Sequence, residues 1–341
     1  MTFFLDALKC RNQSGNIPMW LMRQAGRYLP EYRELRSKYP FKTLYQTPEI
    51  ASKITQMPLK RFPFDAAILF SDILVIAESL GSKIEFQEGV GPVIQNPIST
   101  LQDIQSLNVA DPNETLSYVS KTISQVKPQL KVPLIGFCGA PFTVASYMIE
   151  GKSSRDFKKT KQWLLRDPHS FHQLLKKITL ASIQYLEMQR EAGVDAIQIF
   201  ESWSHVLARN QFSEFSLHYV RQMIESLHGG NSRSVPILFF SKGTSSFLFE
   251  IGSTKADGLS LDWSCSLWEV RKLLGKEIAL QGNLDPQILY APLPTIQKEV
   301  KSLIQSMKGD PGYIFNLGHG ILPDVSLEAV QTMVDSVKDG N

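Results

Sequence analysis

Four arginines stand close together in PMWLMRQAGRYLPEYRELR, residues 18–36, at positions 23, 27, 33 and 36. A guanidinium keeps its charge at every working pH and holds a carboxylate through two parallel hydrogen bonds. Arg23 and Arg27, set either side of Gln24, Ala25 and Gly26, therefore suit a polyanionic ligand, and the small Ala25 and Gly26 let it approach the backbone. The other two have a local reading. Pro30 and Glu31 mark a helix start, which places Arg33 on a solvated face. Arg36, three residues on along that face, is open between a surface ion pair and a more distant ligand contact.

Asp72 sits between AAILF and ILVIA. A carboxylate with apolar chain on both sides is either desolvated or matched by a specific partner, or else it caps the helix that follows. Tyr147, in GFCGAPFTVASYMIEG, falls in a helix that begins near Thr143. Its phenol is either a core aromatic with a hydroxyl at the rim or a hydrogen-bond donor into a site. His319, between two glycines in NLGHGILP, has little local cover and can bind an anion or move a proton. His169, His172, His205, His218 and His228 read as structural or surface groups, with no HExxH arrangement among them.

These residues need a scaffold that brings them together. Short apolar or β-branched runs at 66–70, 133–138, 195–200, 235–240, 257–261, 277–281 and 313–316 read as strands, with a weaker candidate at 83–86. Helical stretches separate most of them; in 171–192 apolar residues recur near 3.6-residue spacing and Gly193 supplies a stop. Alternating β and α elements give a parallel sheet. With no composition break to divide the 341 residues, the reading is one domain over 1–341. It is an α/β fold, a single (β/α)8 TIM-type barrel whose N-terminal extension covers the active-site mouth. An open doubly wound sheet is the runner-up if 83–86 is a loop, although no G-x-G-x-x-G follows the first strand. In a barrel the residues just past each strand gather at one mouth. Here those are Ser71-Asp72, Gly139-Ala140-Pro141, Glu201-Ser202, Ser241-Lys242, Asp262, Asn283 and Gly318-His319-Gly320, a wet and polar ring.

Composition narrows the classes of function. With 36 Lys+Arg against 33 Asp+Glu and no basic run, the chain lacks the footprint of a nucleic-acid binder. The longest apolar stretch, 66–77, is interrupted by Ser71-Asp72, so no membrane span is expected. The start MTFFLDALKCRNQ lacks a positive lead and a cleavage site, which argues against a signal peptide. Cys10, Cys138 and Cys265 are odd in number and widely spaced, as for reduced thiols in a cytoplasm, and no Cys/His spacing suggests a metal.

Six segments, PMWLMRQAGRYLPEYRELR, ILFSDIL, GFCGAPFTVASYMIEG, IFESW, LQGNLDP and NLGHGI, together resemble the uroporphyrinogen decarboxylase family, in its order, across 18–321. The resemblance implies a cofactor-free (β/α)8 enzyme of haem synthesis, usually a homodimer. It converts the four acetates of the tetrapyrrole uroporphyrinogen III to methyls, giving coproporphyrinogen III and four CO2. It also implies that Arg23 and Arg27 hold substrate carboxylates, that Gln24, Ala25 and Gly26 make the intervening backbone contacts, and that Arg36 is a further basic contact. Asp72 is then the central catalytic aspartate, and Tyr147, Ser202 and His319 surround the tetrapyrrole. The proton donor stays open: Arg23 is a candidate, though a guanidinium is a poor acid. One departure stands out, Ser204-His205 after IFESW, where many relatives carry a small Ala-Gly pair.

Corrinoid-dependent methyltransferases share the superfamily, but their zinc needs thiolate and imidazole at strand ends, and FFSKG and NLGHG offer no cysteine. A noncatalytic tetrapyrrole carrier would keep the arginines and dispense with Asp72.

Overall fold

A computed structural model describes residues 2–87, 89–230 and 234–340. Nine strands are present among them: β1 (Ala67–Ile68), β2 (Ile84–Gln87), β3 (Gly91–Ile94), β4 (Leu134–Gly139), β5 (Ala196–Glu201), β6 (Ile237–Ser241), β7 (Gly258–Ser260), β8 (Ala279–Leu284) and β9 (Tyr313–Leu317). Seven of them form one parallel sheet in the order β1-β4-β5-β6-β7-β8-β9. All seven clear strand candidates are in it. Helices such as Pro141–Glu150, Pro168–Ala192, Leu293–Ser306 and Leu327–Asp339 follow strands and cover the sheet, so these strands are buried almost throughout. Gly193, at φ +113, ends Pro168–Ala192 in the left-handed conformation that its position after the apolar periodicity implies.

The eighth candidate fails as a sheet strand. Residues 84–87 pair antiparallel with 91–94 in a separate two-stranded hairpin. Its alternation explains why: Ile84 is buried while Glu85 and Gln87 are exposed. A strand between two helix-covered neighbours would bury both faces, and those polar side chains would lie in the core without water.

The N-terminal segment occupies the end of the sheet beyond β9. Phe315 N donates to Pro18 O (2.9 Å) and Trp20 N to Phe315 O (3.4 Å), while Asp65 N, just before β1, donates to Met19 O (2.8 Å). Residues 18–20 thus bond to β9 on one side and to the residue two before β1 on the other. Trp20 is fully buried and its indole donates to Gln281 Oε1 (2.7 Å). Gln281 Nε2 donates in turn to Ser260 Oγ (2.5 Å) and Gln198 Oε1 (3.2 Å). This network ties β5, β7 and β8 to the N-terminal segment through buried hydrogen bonds, which low-dielectric surroundings strengthen. Among the described residues no helix is long and apolar enough to cross a membrane.

Candidate active site

Asp72 lies two residues past Phe70, whose amide donates to Thr55 Oγ1 (3.0 Å) of helix Pro48–Arg61, so the end of β1 is pinned from behind. One carboxylate oxygen, Oδ1, accepts from Leu74 N (2.8 Å) and shapes the turn into the next helix. The capping reading of Asp72 is thus seen at one oxygen, and the other oxygen is without a donor among the described residues. Burial in apolar surroundings raises its pKa to about 6 and Glu78 adds to the rise, while the Leu74 amide and the Arg23 charge pull it down.

Arg23, on the N-terminal segment, makes no hydrogen bond or ion pair with this carboxylate and acts on it through its charge alone. Its backbone is left-handed at φ +61, and its side chain lies across Gly320, where a Cβ would come within 2.7 Å of Cγ. Its charge is felt at Asp72, Tyr147 and His319, in each case as the smaller influence beside burial. Tyr147 is half-buried on helix Pro141–Glu150, its ring 6.0 Å edge-on from Trp203. Burial and the nearby Asp72 carboxylate raise its pKa, so the phenol stays a donor. The His319 ring stands 5.9 Å from that of Phe240 at the end of β6. Burial and the charges of Arg23 and Lys242 push its pKa down to about 3, which keeps the imidazole neutral.

Gln24 is fully buried and its groups are committed: Oε1 accepts from Leu21 N (3.1 Å), Nε2 donates to Ala66 O (3.1 Å), and its carbonyl accepts from Tyr28 Oη (2.8 Å). Gln24 N also donates to Leu21 O, while the amides of Ala25 and Gly26, like those of Arg23, Arg27 and Tyr28, have no protein acceptor among the described residues. Arg27 is exposed and its guanidinium has no protein partner among them either. Arg33 instead donates to Arg27 O (2.8 Å) and Tyr28 O (3.1 Å), which is the local role its helix position implies. Arg36 donates to Tyr39 O (3.1 Å) and lines a surface groove of about 680 Å³ with Lys38, Lys42 and the β2–β3 hairpin. Its guanidinium has no direct contact with Asp72, Tyr147 or His319.

Ser202 is placed by a residue that the sequence marks only as part of the polar ring. Glu201, fully buried at the end of β5, accepts from Thr143 Oγ1 and from Ser216 Oγ (2.9 Å). Thr143 Oγ1 also accepts from Ser202 N (2.8 Å), so one hydroxyl joins the helix of Tyr147 to the segment of Ser202. Burial lifts the Glu201 pKa to about 7, against the pull of these donors. Thr143→Val removes a donor from the buried carboxyl and an acceptor from Ser202 N, and is expected to cost about 2 kcal/mol of stability. Urea unfolding measures it; a loss under about 0.5 kcal/mol would show that the junction is not held this way. His205, read as a structural or surface histidine, is on the rim, its Cβ packed over Gly243 and its ring 6.1 Å from that of Trp203.

A curled parallel sheet, with a half-buried carboxylate past β1 and two guanidinium groups of the N-terminal segment without ion-pair partners among the described residues, is the architecture of an α/β protein with a polar cleft at its strand ends. Residues 2–340 match the model of one family, Uroporphyrinogen decarboxylase (URO-D). The uroporphyrinogen decarboxylase of Protochlamydia amoebophila is 51% identical over 98% of this chain and 91% of its own, and that of Flavobacterium johnsoniae is 44% identical over 98% and 97%. Among solved structures, a methyltransferase from Methanosarcina mazei superposes with a TM-score of 0.81 over 99% of both chains at 21% identity, a likeness of fold alone. The chain belongs to the uroporphyrinogen decarboxylase family, a family of carboxy-lyases.

Proposed function

We propose that this site decarboxylates the four acetate side chains of uroporphyrinogen III to methyls, giving coproporphyrinogen III and four CO2 in haem biosynthesis, without a metal or organic cofactor. The observation that carries the mechanism is Asp72, desolvated, with one oxygen unsatisfied and the Arg23 charge nearby. Loss of CO2 leaves an electron pair on the acetate carbon, and a pyrrole protonated on its ring carbon accepts that pair. Asp72, facing the pyrrole N–H groups, stabilises the cationic ring by an electrostatic arrangement set up before reaction. A second proton then completes the methyl while the ring proton is returned, so each acetate consumes one proton overall.

Arg23 and Arg27 hold substrate carboxylates, and the amides of Ala25 and Gly26 are available beside them. Tyr147, Ser202 and His319 line the tetrapyrrole, Tyr147 as a phenolic donor close to the reacting ring. Gln24 serves by bracing the turn. Arg36 reaches only the periphery, as a contact for an outlying carboxylate. In this reading the chain is one domain over 1–341, and residues 18–20 take the eighth place in the sheet, closing a (β/α)8 barrel. The N-terminal segment then covers its mouth. The protein acts as a cytoplasmic homodimer.

The test is to incubate metal-stripped protein anaerobically with uroporphyrinogen III, oxidise, and separate the porphyrins by carboxylate number. Hepta- through tetracarboxyl products are expected. Tight binding without CO2 release would replace this reading with a carrier, and neither binding nor release would return the chain to the methyltransferase branch. Salt gives a second check. Because screened ion pairs capture the substrate, raising NaCl from about 50 to about 500 mM is expected to raise KM severalfold and change kcat by less than about twofold. A KM indifferent to salt would remove the arginines from capture.

A further inference from the structure

Lys242 follows β6 and is half-buried at the rim. Its amide donates to the carbonyl of Glu201, the last residue of β5 (3.0 Å), which carries the β5–β6 ladder one residue past the end of β6 and fixes the backbone there. The chain then turns at Gly243, φ +66. Among the described residues the Lys242 ammonium has no hydrogen-bond or ion-pair partner, unlike Lys42, Lys127 and Lys338, each paired with a carboxylate.

The carboxylate that meets the residue after Lys242 is already engaged. Asp262 accepts from Gly243 N through Oδ2, and from Ser264 N (2.9 Å) and Ser264 Oγ through Oδ1. Lys242 is flanked instead by imidazoles. His319 stands over Phe240, two residues earlier, and His205 packs on Gly243, one residue later. The Lys242 charge disfavours the protonated form of both, and at His319 the charge of Arg23, also without a hydrogen-bond or ion-pair partner among the described residues, acts in the same sense. A half-buried ammonium and an exposed guanidinium, neither with an ion-pair partner among the described residues and both acting on one neutral imidazole, form a seat for an anion.

Resting on the activity proposed above, we propose that Lys242 is a further substrate-binding residue, seating a carboxylate of the tetrapyrrole on the β5–β6 side of the mouth, with His319 between it and Arg23. The arginines of the N-terminal segment lie on another element, and a ligand bearing eight carboxylates needs cationic contacts from more than one side. Lys242 also stands next to Ser204-His205, where this chain departs from a small pair, so the seat is narrower and better desolvated on that side.

The experiment compares the parent with Lys242→Met and Lys242→Arg in two assays: anaerobic turnover of uroporphyrinogen III, and fluorescence titration with uroporphyrin III, the oxidised octacarboxylate. Lys242→Met is expected to raise KM and the uroporphyrin Kd about tenfold, the loss of one charged hydrogen bond, with kcat within about threefold. It also flattens the salt dependence of both, and Lys242→Arg restores them. A Lys242→Met protein with KM, Kd and salt dependence within about twofold of the parent would overturn the assignment. So would Lys242→Arg failing as badly as Met, since a purely steric role would not be rescued by charge. If Lys242→Met does not fold by circular dichroism, Lys242→Gln is judged by the same thresholds. A parent that binds uroporphyrin without releasing CO2 would refute the activity alone, and the titrations would still decide Lys242.

Discussion

Asp72→Asn is expected to lower kcat by about 10³-fold while leaving the Kd for porphyrin within about fivefold and making the protein harder to unfold. The first effect follows from charge: an amide of the same shape can still meet pyrrole N–H groups, but it cannot offset a ring cation. The second follows from linkage. The carboxyl has a pKa of about 6 in the folded chain against an ordinary 3.8, so the native state holds more protons than the unfolded state between these values. Stability therefore falls as pH rises from about 4 through 6 and stays lowered above it. At pH 8 the ionised Asp72 costs on the order of 2–3 kcal/mol, which the neutral asparagine removes. Turnover has the opposite dependence: kcat/KM of the parent falls below about pH 6 as the carboxylate is protonated. The residual activity of Asp72→Asn lacks that limb. Thermal unfolding at pH 8 and at pH 4, beside the pH–rate profiles, separates the two effects. A variant that turns over within tenfold of the parent, or one that melts lower at pH 8, would remove Asp72 from the centre of the mechanism.

The place of Asp72 past a buried strand was legible because its surroundings were local. A carboxylate between AAILF and ILVIA has no choice but to end a buried strand, and the same argument located all seven strands of the sheet. The hairpin at 84–94 was misplaced because a short run with one apolar face fits a sheet edge as well as a hairpin. What periodicity does not carry is the identity of partners distant in the chain. Nothing in ALQGNL says that Gln281 meets Trp20, 261 positions away, or that Ser260 and Gln198 complete the network. Glu201 shows the same limit. Its place after a strand was plain, but its burial and its hold on Thr143 depend on how helix Pro141–Glu150 returns to the sheet. Lys242 belonged to the polar ring on sequence grounds, but that Asp262 spends both its oxygens on turn donors could be seen only in the fold.

Gly320→Ala is expected to disable the enzyme nearly as severely as Arg23→Lys, although position 320 carries no chemistry. The added Cβ would lie 2.7 Å from Arg23 Cγ and 2.8 Å from Nε, and it meets Cδ as well, so it strikes the stem of the side chain. Neither backbone can yield. Ile321 N donates to Met22 O (2.9 Å) and Met22 N to Asn316 Oδ1 (3.0 Å), which ties the two segments together on either side of the contact. Arg23 is further held at φ +61 by the buried Gln24 brace that follows it. The guanidinium must therefore swing away from Asp72 and His319, and a displacement of about 1 Å at a positioning group costs on the order of 10²-fold in rate. Arg23→Lys keeps the charge and loses the planar fork, with a fall in kcat/KM of similar size. Because both changes remove the same contact, the double variant Arg23→Lys/Gly320→Ala is expected to be no worse than about threefold below the weaker single one, where independent effects would multiply. Kinetics of the four proteins close the cycle, with thermal unfolding as the check that each is folded. Full activity in Gly320→Ala would show that Arg23 works from a position other than the one it holds against Gly320, and multiplicative losses would show that the two residues act on separate steps.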